Sequence, residues 1–469
     1  MYPRHDEIIA AVPAYERFLT LDEVEASTDR LLAAHPEVSV WTPGTSRGGH
    51  GLRCLELGRG PLRAALVGVP HPEEQVGSLV LDHLLRLLVE TDLAERLGFR
   101  FSIIRAIDPD GMRLNECWFD EPLDVAGFLL RQYRPAANEQ FEWTFPIEYK
   151  NYAFTKPLPE ARAVMAVIDR APLDFYMCLH NAHASGAYFY VTHDVPSLND
   201  DLAAIVAAAG LPVHRGEPEM PYLNAFGDGV FEEFGLTDDY EYFARYGVEP
   251  AAALQGGTSS TSYAQAAWDC FTLVAEVPYF TSPKAGDSSP AGISRGEAVR
   301  RGIELEHEYA SWLLARYVEA AAELSGESPW QRALYAYLLG VNDDLRAQTQ
   351  MVAREACFAE EATVAQVFSS TFLRELDVLS RVGHLASMAA AGPRQNDVLA
   401  AVRAAAEDRV HTRVPQLLVA GAIAPVPLRT LVRAQLAALL CALDAVREHY
   451  RPTHPRPPAP RARAQSRAR

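Results

Sequence analysis

No apolar run in this chain reaches the roughly 18 residues that a membrane span needs, so no membrane partner is expected. The segment Met1–Ala11 carries Arg4, His5, Asp6 and Glu7 and lacks the apolar stretch of a secretory signal, which makes a cytoplasmic protein the expectation. The six cysteines, Cys54, Cys117, Cys178, Cys270, Cys357 and Cys441, are scattered with no C-x-x-C pair. They read as buried free thiols rather than a disulfide framework. The chain also lacks a basic balance: its net charge of −18 argues against a general nucleic-acid binder. No phosphate loop, dinucleotide fingerprint or serine nucleophile elbow occurs.

What is present is a globular composition, 49% hydrophobic and 22% charged, in a chain of 469 residues that can hold two or three domains. Residues 19–36 read as a helix capped by Thr20, and 38–41 and 52–57 as strands joined by the glycine-rich turn 44–51. A buried strand over 64–69 precedes a helix over 78–90, and a second apolar strand over 101–107 runs into the turn Asp108-Pro-Asp-Gly111. Residues 116–157 have no clear period and read as a long surface excursion that binds substrate. Further elements are a helix over 159–170, strands over 175–179 and 187–191, a helix over 198–209, a loop over 212–250 and a last strand over 271–276. This alternation predicts an α/β fold with a mixed, largely parallel central sheet flanked by helices, spanning 1–300. Residues 301–450 are Ala- and Leu-rich at helical spacing and predict an all-α domain. The final stretch, 451–469, holds six arginines, five prolines and no acid, and reads as a disordered basic tail.

The chemistry concentrates at 65–77. There an apolar run stops at Pro70, and His71 and Glu74 follow three residues apart at the turn before a helix. Open α/β sheets place their sites at this carboxyl edge, and residues i and i+3 of a turn share one side. Imidazole plus carboxylate suits zinc, which needs a third protein ligand. A second H-x-x-E, His214 to Glu217, lacks the strand-to-helix context. His180 ends an apolar strand, with His183 as a rival and Cys178 two residues earlier on the same face. Glu276 also ends an apolar strand, where an unpaired carboxylate is costly to bury and must meet a cation, a water or solvent.

In order and spacing these pieces resemble the zinc carboxypeptidases of the M14 family over roughly residues 18–300. The matching pieces are Phe18 to Glu25, Gly44-Thr-Ser-Arg47, the His71/Glu74 turn, Asp108-Pro-Asp-Gly111, Leu179-His180-Asn181 and Ala275-Glu276-Val277. The resemblance implies one zinc per chain on His71, Glu74 and His180, with Glu276 as general base and Arg113 steadying the oxyanion. It also implies hydrolysis of a C-terminal peptide bond in a peptide or small amide substrate. The family's Asn-Arg pair for the terminal carboxylate has no counterpart: Asn115 is followed by Glu116, leaving Arg131 and Arg134 as candidates beside Asn115. Tyr263 is the first candidate for the family's mobile tyrosine, with Tyr188 and Tyr279 as alternatives. Loss of the Asn-Arg pair keeps open a zinc amidohydrolase or deacylase acting on an amino-acid conjugate, and a non-catalytic binding protein is the third reading.

Overall fold

Thr20 starts the helix expected over 19–36, as its side chain predicts, after a short helix at Asp6–Ala10. Its hydroxyl accepts from the backbone N–H of Glu23, and the Glu23 carboxylate accepts in return from the Thr20 N–H at 2.9 Å. The computed structural model describes residues 1–120 and 124–454. After helix α1 (Leu21–Ala34) come strands β1 (Ser39–Thr45), β2 (Gly51–Leu57) and β3 (Leu62–Gly68), then α2 (Val76–Glu90), β4 (Phe99–Ile104), α3 (Val125–Arg131) and α4 (Pro159–Arg170). Next are β5 (Phe175–Leu179), β6 (Tyr188–Val191), α5 (Pro196–Ala209), β7 (Ala225–Gly227), β8 (Val230–Glu232), α6 (Ser260–Trp268) and β9 (Phe271–Glu276).

These strands form one nine-stranded mixed sheet in the order β1-β2-β4-β3-β5-β9-β6-β8-β7. The middle four, β4, β3, β5 and β9, are parallel. β2 and β6 flank them antiparallel. Every residue of β5 and β9 is buried, as expected of parallel strands covered on both faces. Because β3, β5 and β9 are adjacent and parallel, the residues that follow their carboxyl ends emerge at one sheet edge.

Some local readings change. The Asp108-Pro-Asp-Gly turn opens a short helix (Pro109–Asn115), with the Asp108 carboxylate capping the Gly111 N–H at 2.9 Å. The 116–157 excursion holds α3 and a small hairpin pairing 147–149 with 152–154. The expected loop 212–250 contains β7, β8 and a helix (Leu236–Arg245). All six cysteines are free; Cys54, Cys178, Cys270 and Cys441 are buried as expected, whereas Cys117 is exposed and Cys357 partly so.

Beyond residue 294 the chain is largely helical: α7 (Arg295–Ala321), α8 (Pro329–Arg354), α9 (Arg374–Ala390, preceded by a π-turn over Phe368–Leu373), α10 (Asp397–Gly421) and α11 (Leu428–Ala445). Helices α7 to α10 pack on one another and α9 also packs on α3, whereas α11 packs on α2 and α5 against the sheet. One apolar core runs from Leu66 and Phe175 through Leu379 to Leu439. At the junction of α9 and α3, a Cβ on Gly383 would stand 1.8 Å from the Leu129 carbonyl oxygen, so a side chain there would force the two helices apart. Arg451, first residue of the expected tail, pairs with Asp174 at 2.7 Å. The tail from 455 onward lies outside the described residues. No helix among those described is long and apolar enough to cross a membrane.

Candidate metal centre

The turn after β3 is tight. Val69 is fully buried with φ +57°, a left-handed conformation that a branched side chain rarely adopts, and it reverses the chain ahead of Pro70 and His71. The Glu74 N–H closes the turn on the His71 carbonyl at 3.0 Å. Gly77 then lets α2 start against β5: a Cβ there would stand 2.7 Å from the Leu179 Cβ. The His180 backbone is fixed from the other side by α11. Gln435, fully buried, donates its side-chain amide to the His180 carbonyl and, at 3.3 Å, to the Ala275 carbonyl on β9.

His71, Glu74 and His180 converge, with one ligand-capable atom from each lying within 4.8 Å of the others. His71 Nδ1 lies 2.9 Å from Glu74 Oε1, and His180 Nδ1 lies 3.0 Å from Glu74 Oε2. The three side chains are 4–5% exposed. Burial works against the ionised Glu74, but the two imidazoles hold its pKa well below the usual carboxylate range. Burial and the Arg134 charge pull His71 down. For His180, contacts with Cys178, Glu142 and Glu74 outweigh burial and hold it well above the usual imidazole range. Two imidazoles and a carboxylate aimed at one point are a donor set that fits zinc.

Glu276 lines the same cavity of about 540 Å³. It is 8% exposed, and among the described residues no group donates a hydrogen bond to its carboxylate. Burial, then the Glu74 charge, raise its pKa well above the usual value. A carboxyl in this state holds its proton more tightly than an exposed one.

The remaining expectations divide. Arg134 reaches the centre: one guanidinium nitrogen donates to Glu73 at 2.6 Å and to Glu74 at 3.0 Å, and the other lies 3.3 Å from His71 Nε2. Arg113 does not. It is half exposed and pairs with Asp22 at 2.7 Å on the surface, because the helix opened by Pro109 turns its side chain outward. Asn115 is fully buried, bonded to the Gly111 and Tyr133 carbonyls, the Tyr133 N–H and the Trp118 indole, so it braces the chain and faces no cavity. Arg131 donates to the Gly127 and Cys117 carbonyls away from the centre. The Tyr263 hydroxyl donates to Asp169, again away from the cavity. Of the alternatives, Tyr188 lines the cavity, paired across the sheet with Glu276, while Tyr279 is locked in the core, its hydroxyl donating to the Glu73 carbonyl at 2.9 Å. His183 faces Glu73 at 3.4 Å, and the second H-x-x-E closes on itself, His214 Nε2 lying 2.8 Å from the Glu217 carbonyl oxygen.

Two residues were not foreseen. Glu142, nine-tenths buried in the irregular excursion, sits 3.7 Å from His180 Nε2 and accepts from the Ser260 N–H and hydroxyl. Glu73 carries the charge opposite Arg134. A charged residue set among the aromatics Phe141 and Trp143 was the available signal for the first, and doubled glutamates in the turn for the second. The helical region supplies the facing wall of the cavity, through Glu306, Asp344, Arg374 and Arg381.

No family model matches the chain, and no curated protein matches it. Among solved structures, it is similar to a carboxypeptidase A from Helicoverpa armigera (15% identity, 58% of this chain and 70% of that one, TM-score 0.37). It is likewise similar to a metallo-carboxypeptidase from Burkholderia cenocepacia (14% identity, 72% of this chain and 70% of that one, TM-score 0.32).

Proposed function

We propose that the chain is a zinc-dependent hydrolase that cleaves an amide bond, most simply a C-terminal peptide bond. The observation that carries this reading is the convergence of three strand ends, His71 with Glu74 after β3, His180 after β5 and Glu276 at the end of β9, on one cavity. His71, Glu74 and His180 would hold the ion. Zinc bound there would polarise a carbonyl and bring the acidity of a water near neutrality. Glu276 takes the proton from the attacking water and returns it to the leaving amine. Arg134, fixed by Glu73, replaces Arg113 as the fixed cation beside the developing oxyanion. Glu142 faces the far nitrogen of His180 at 3.7 Å and adds negative charge beside the ring.

A second reading, a deacylase acting on a small amino-acid conjugate, is favoured by the missing Asn-Arg pair, Asn115 being followed by Glu116. Peptides with free and amidated C-termini separate the two: equal cleavage of both forms excludes the carboxypeptidase. Both readings share Glu276, so Glu276→Gln with zinc retained and turnover intact would refute either.

A further inference from the structure

The polar groups on the cavity wall are mostly spoken for. Glu306 accepts from Arg374 at 2.8 Å and from the Tyr337 hydroxyl at 3.2 Å, and Asp344 accepts from Gln348 at 2.8 Å. Glu233 accepts from Thr261 at 2.6 Å, and Arg134 is paired with Glu73 and Glu74. Arg381 stands apart. It lines the cavity from α9, and among the described residues no carboxylate lies within ion-pair distance and no acceptor takes a hydrogen bond from it. Its Nε is buried without a partner. Its guanidinium lies over the Tyr337 ring, 5.5 Å from the centroid, so its plane is supported while its donors stay unused. The residue is half-buried, and an Nε shut off from solvent without a partner costs free energy until an acceptor arrives.

We propose that Arg381 binds an anionic group of the substrate, a carboxylate, and so sets specificity from the helical region, outside the part of the chain that resembles carboxypeptidases. This deepens the function proposed above and rests on its reading of the cavity as the substrate site. Guanidinium and carboxylate match as a planar, two-bond pair, which lysine cannot reproduce. α9 also touches the metal side of the cavity: His384, one turn beyond Arg381, accepts from the Arg134 backbone N–H at 3.4 Å, so the two arginines are held by one helix.

The test is equilibrium binding of hippurate and of its uncharged amide, hippuramide, to the full-length chain supplied with zinc, measured calorimetrically for wild type, Arg381→Met and Arg381→Lys. The expected result is a wild-type preference for hippurate over hippuramide of roughly tenfold or more, lost in Arg381→Met and only partly kept in Arg381→Lys. A preference unchanged in Arg381→Met, or none in wild type, overturns the proposal. Turnover of hippuryl-peptides is read separately. Selective hippurate binding without turnover would sink the hydrolase reading and leave the carboxylate site standing.

Discussion

Arg134→Met isolates what the arginine does for the fold from what it does for the site. Glu73 is fully buried; its Oε1 receives the Arg134 guanidinium at 2.6 Å, and its Oε2 has no hydrogen-bond partner. Burial opposes the charge, yet Arg134 holds the Glu73 pKa down to about 2. Methionine keeps the length of the side chain and removes the cation, leaving His183 at 3.4 Å as the remaining counter-group to Glu73. Breaking a buried pair in this way costs roughly 3–5 kcal/mol, a large share of a typical folding free energy. The assay is urea denaturation at pH 7 followed by tryptophan fluorescence, on Arg134→Met and on Arg134→Met/Glu73→Gln. Removing the orphaned charge restores most of the lost stability in the double variant, while the proposed oxyanion role of Arg134 requires that turnover stay lost. A single variant within about 0.5 kcal/mol of wild type, the spread of ordinary surface substitutions, would refute the reasoning.

Glu276→Gln keeps the zinc and lowers kcat roughly a hundred- to ten-thousand-fold, checked by turnover against metal content. Gly383→Ala places a methyl where the Leu129 carbonyl stands at 1.8 Å, and thermal unfolding registers a loss of roughly 1–3 kcal/mol or more. Asp108 is fully buried, and burial, only partly offset by Arg47, raises its pKa to about 6. The folded chain therefore holds this proton more tightly than the unfolded one. The stability it contributes is full below the unfolded value near 4, and is lost as pH rises through about 6. Asp108→Asn, which keeps the cap on Gly111, should flatten stability across that window in denaturation curves at pH 4 to 7; an unchanged slope would contradict this.

The centre was legible where chemistry coincides with a period change. An apolar run that stops at Pro70-His71, another at His180 and a third at Glu276 mark strand ends, and parallel neighbours bring strand ends together. Loop residues were not legible. Spacing from Asp108 to Arg113 and Asn115 carries no direction, and the short helix over 109–115 sends one outward and the other into the core. Arg134 and Glu142 return to the centre only because the 116–157 excursion doubles back, a path fixed by contacts such as Arg134 N–H to His384 that span 250 residues. The helices after 300 share one composition, but α11 differs in kind: from Ala434 to Ala445 every residue is buried. From Leu436 to Leu443 the run is apolar all round, as befits a helix inside the molecule, and the amide Gln435 that precedes it marks the strand ends it clamps.

The most direct test of the central claim is zinc per chain by elemental mass spectrometry on wild type, His71→Ala and His180→Ala. The account predicts close to one zinc in wild type and its loss in both variants. Zinc absent from wild type after supply during folding, or retained in both variants, would contradict it.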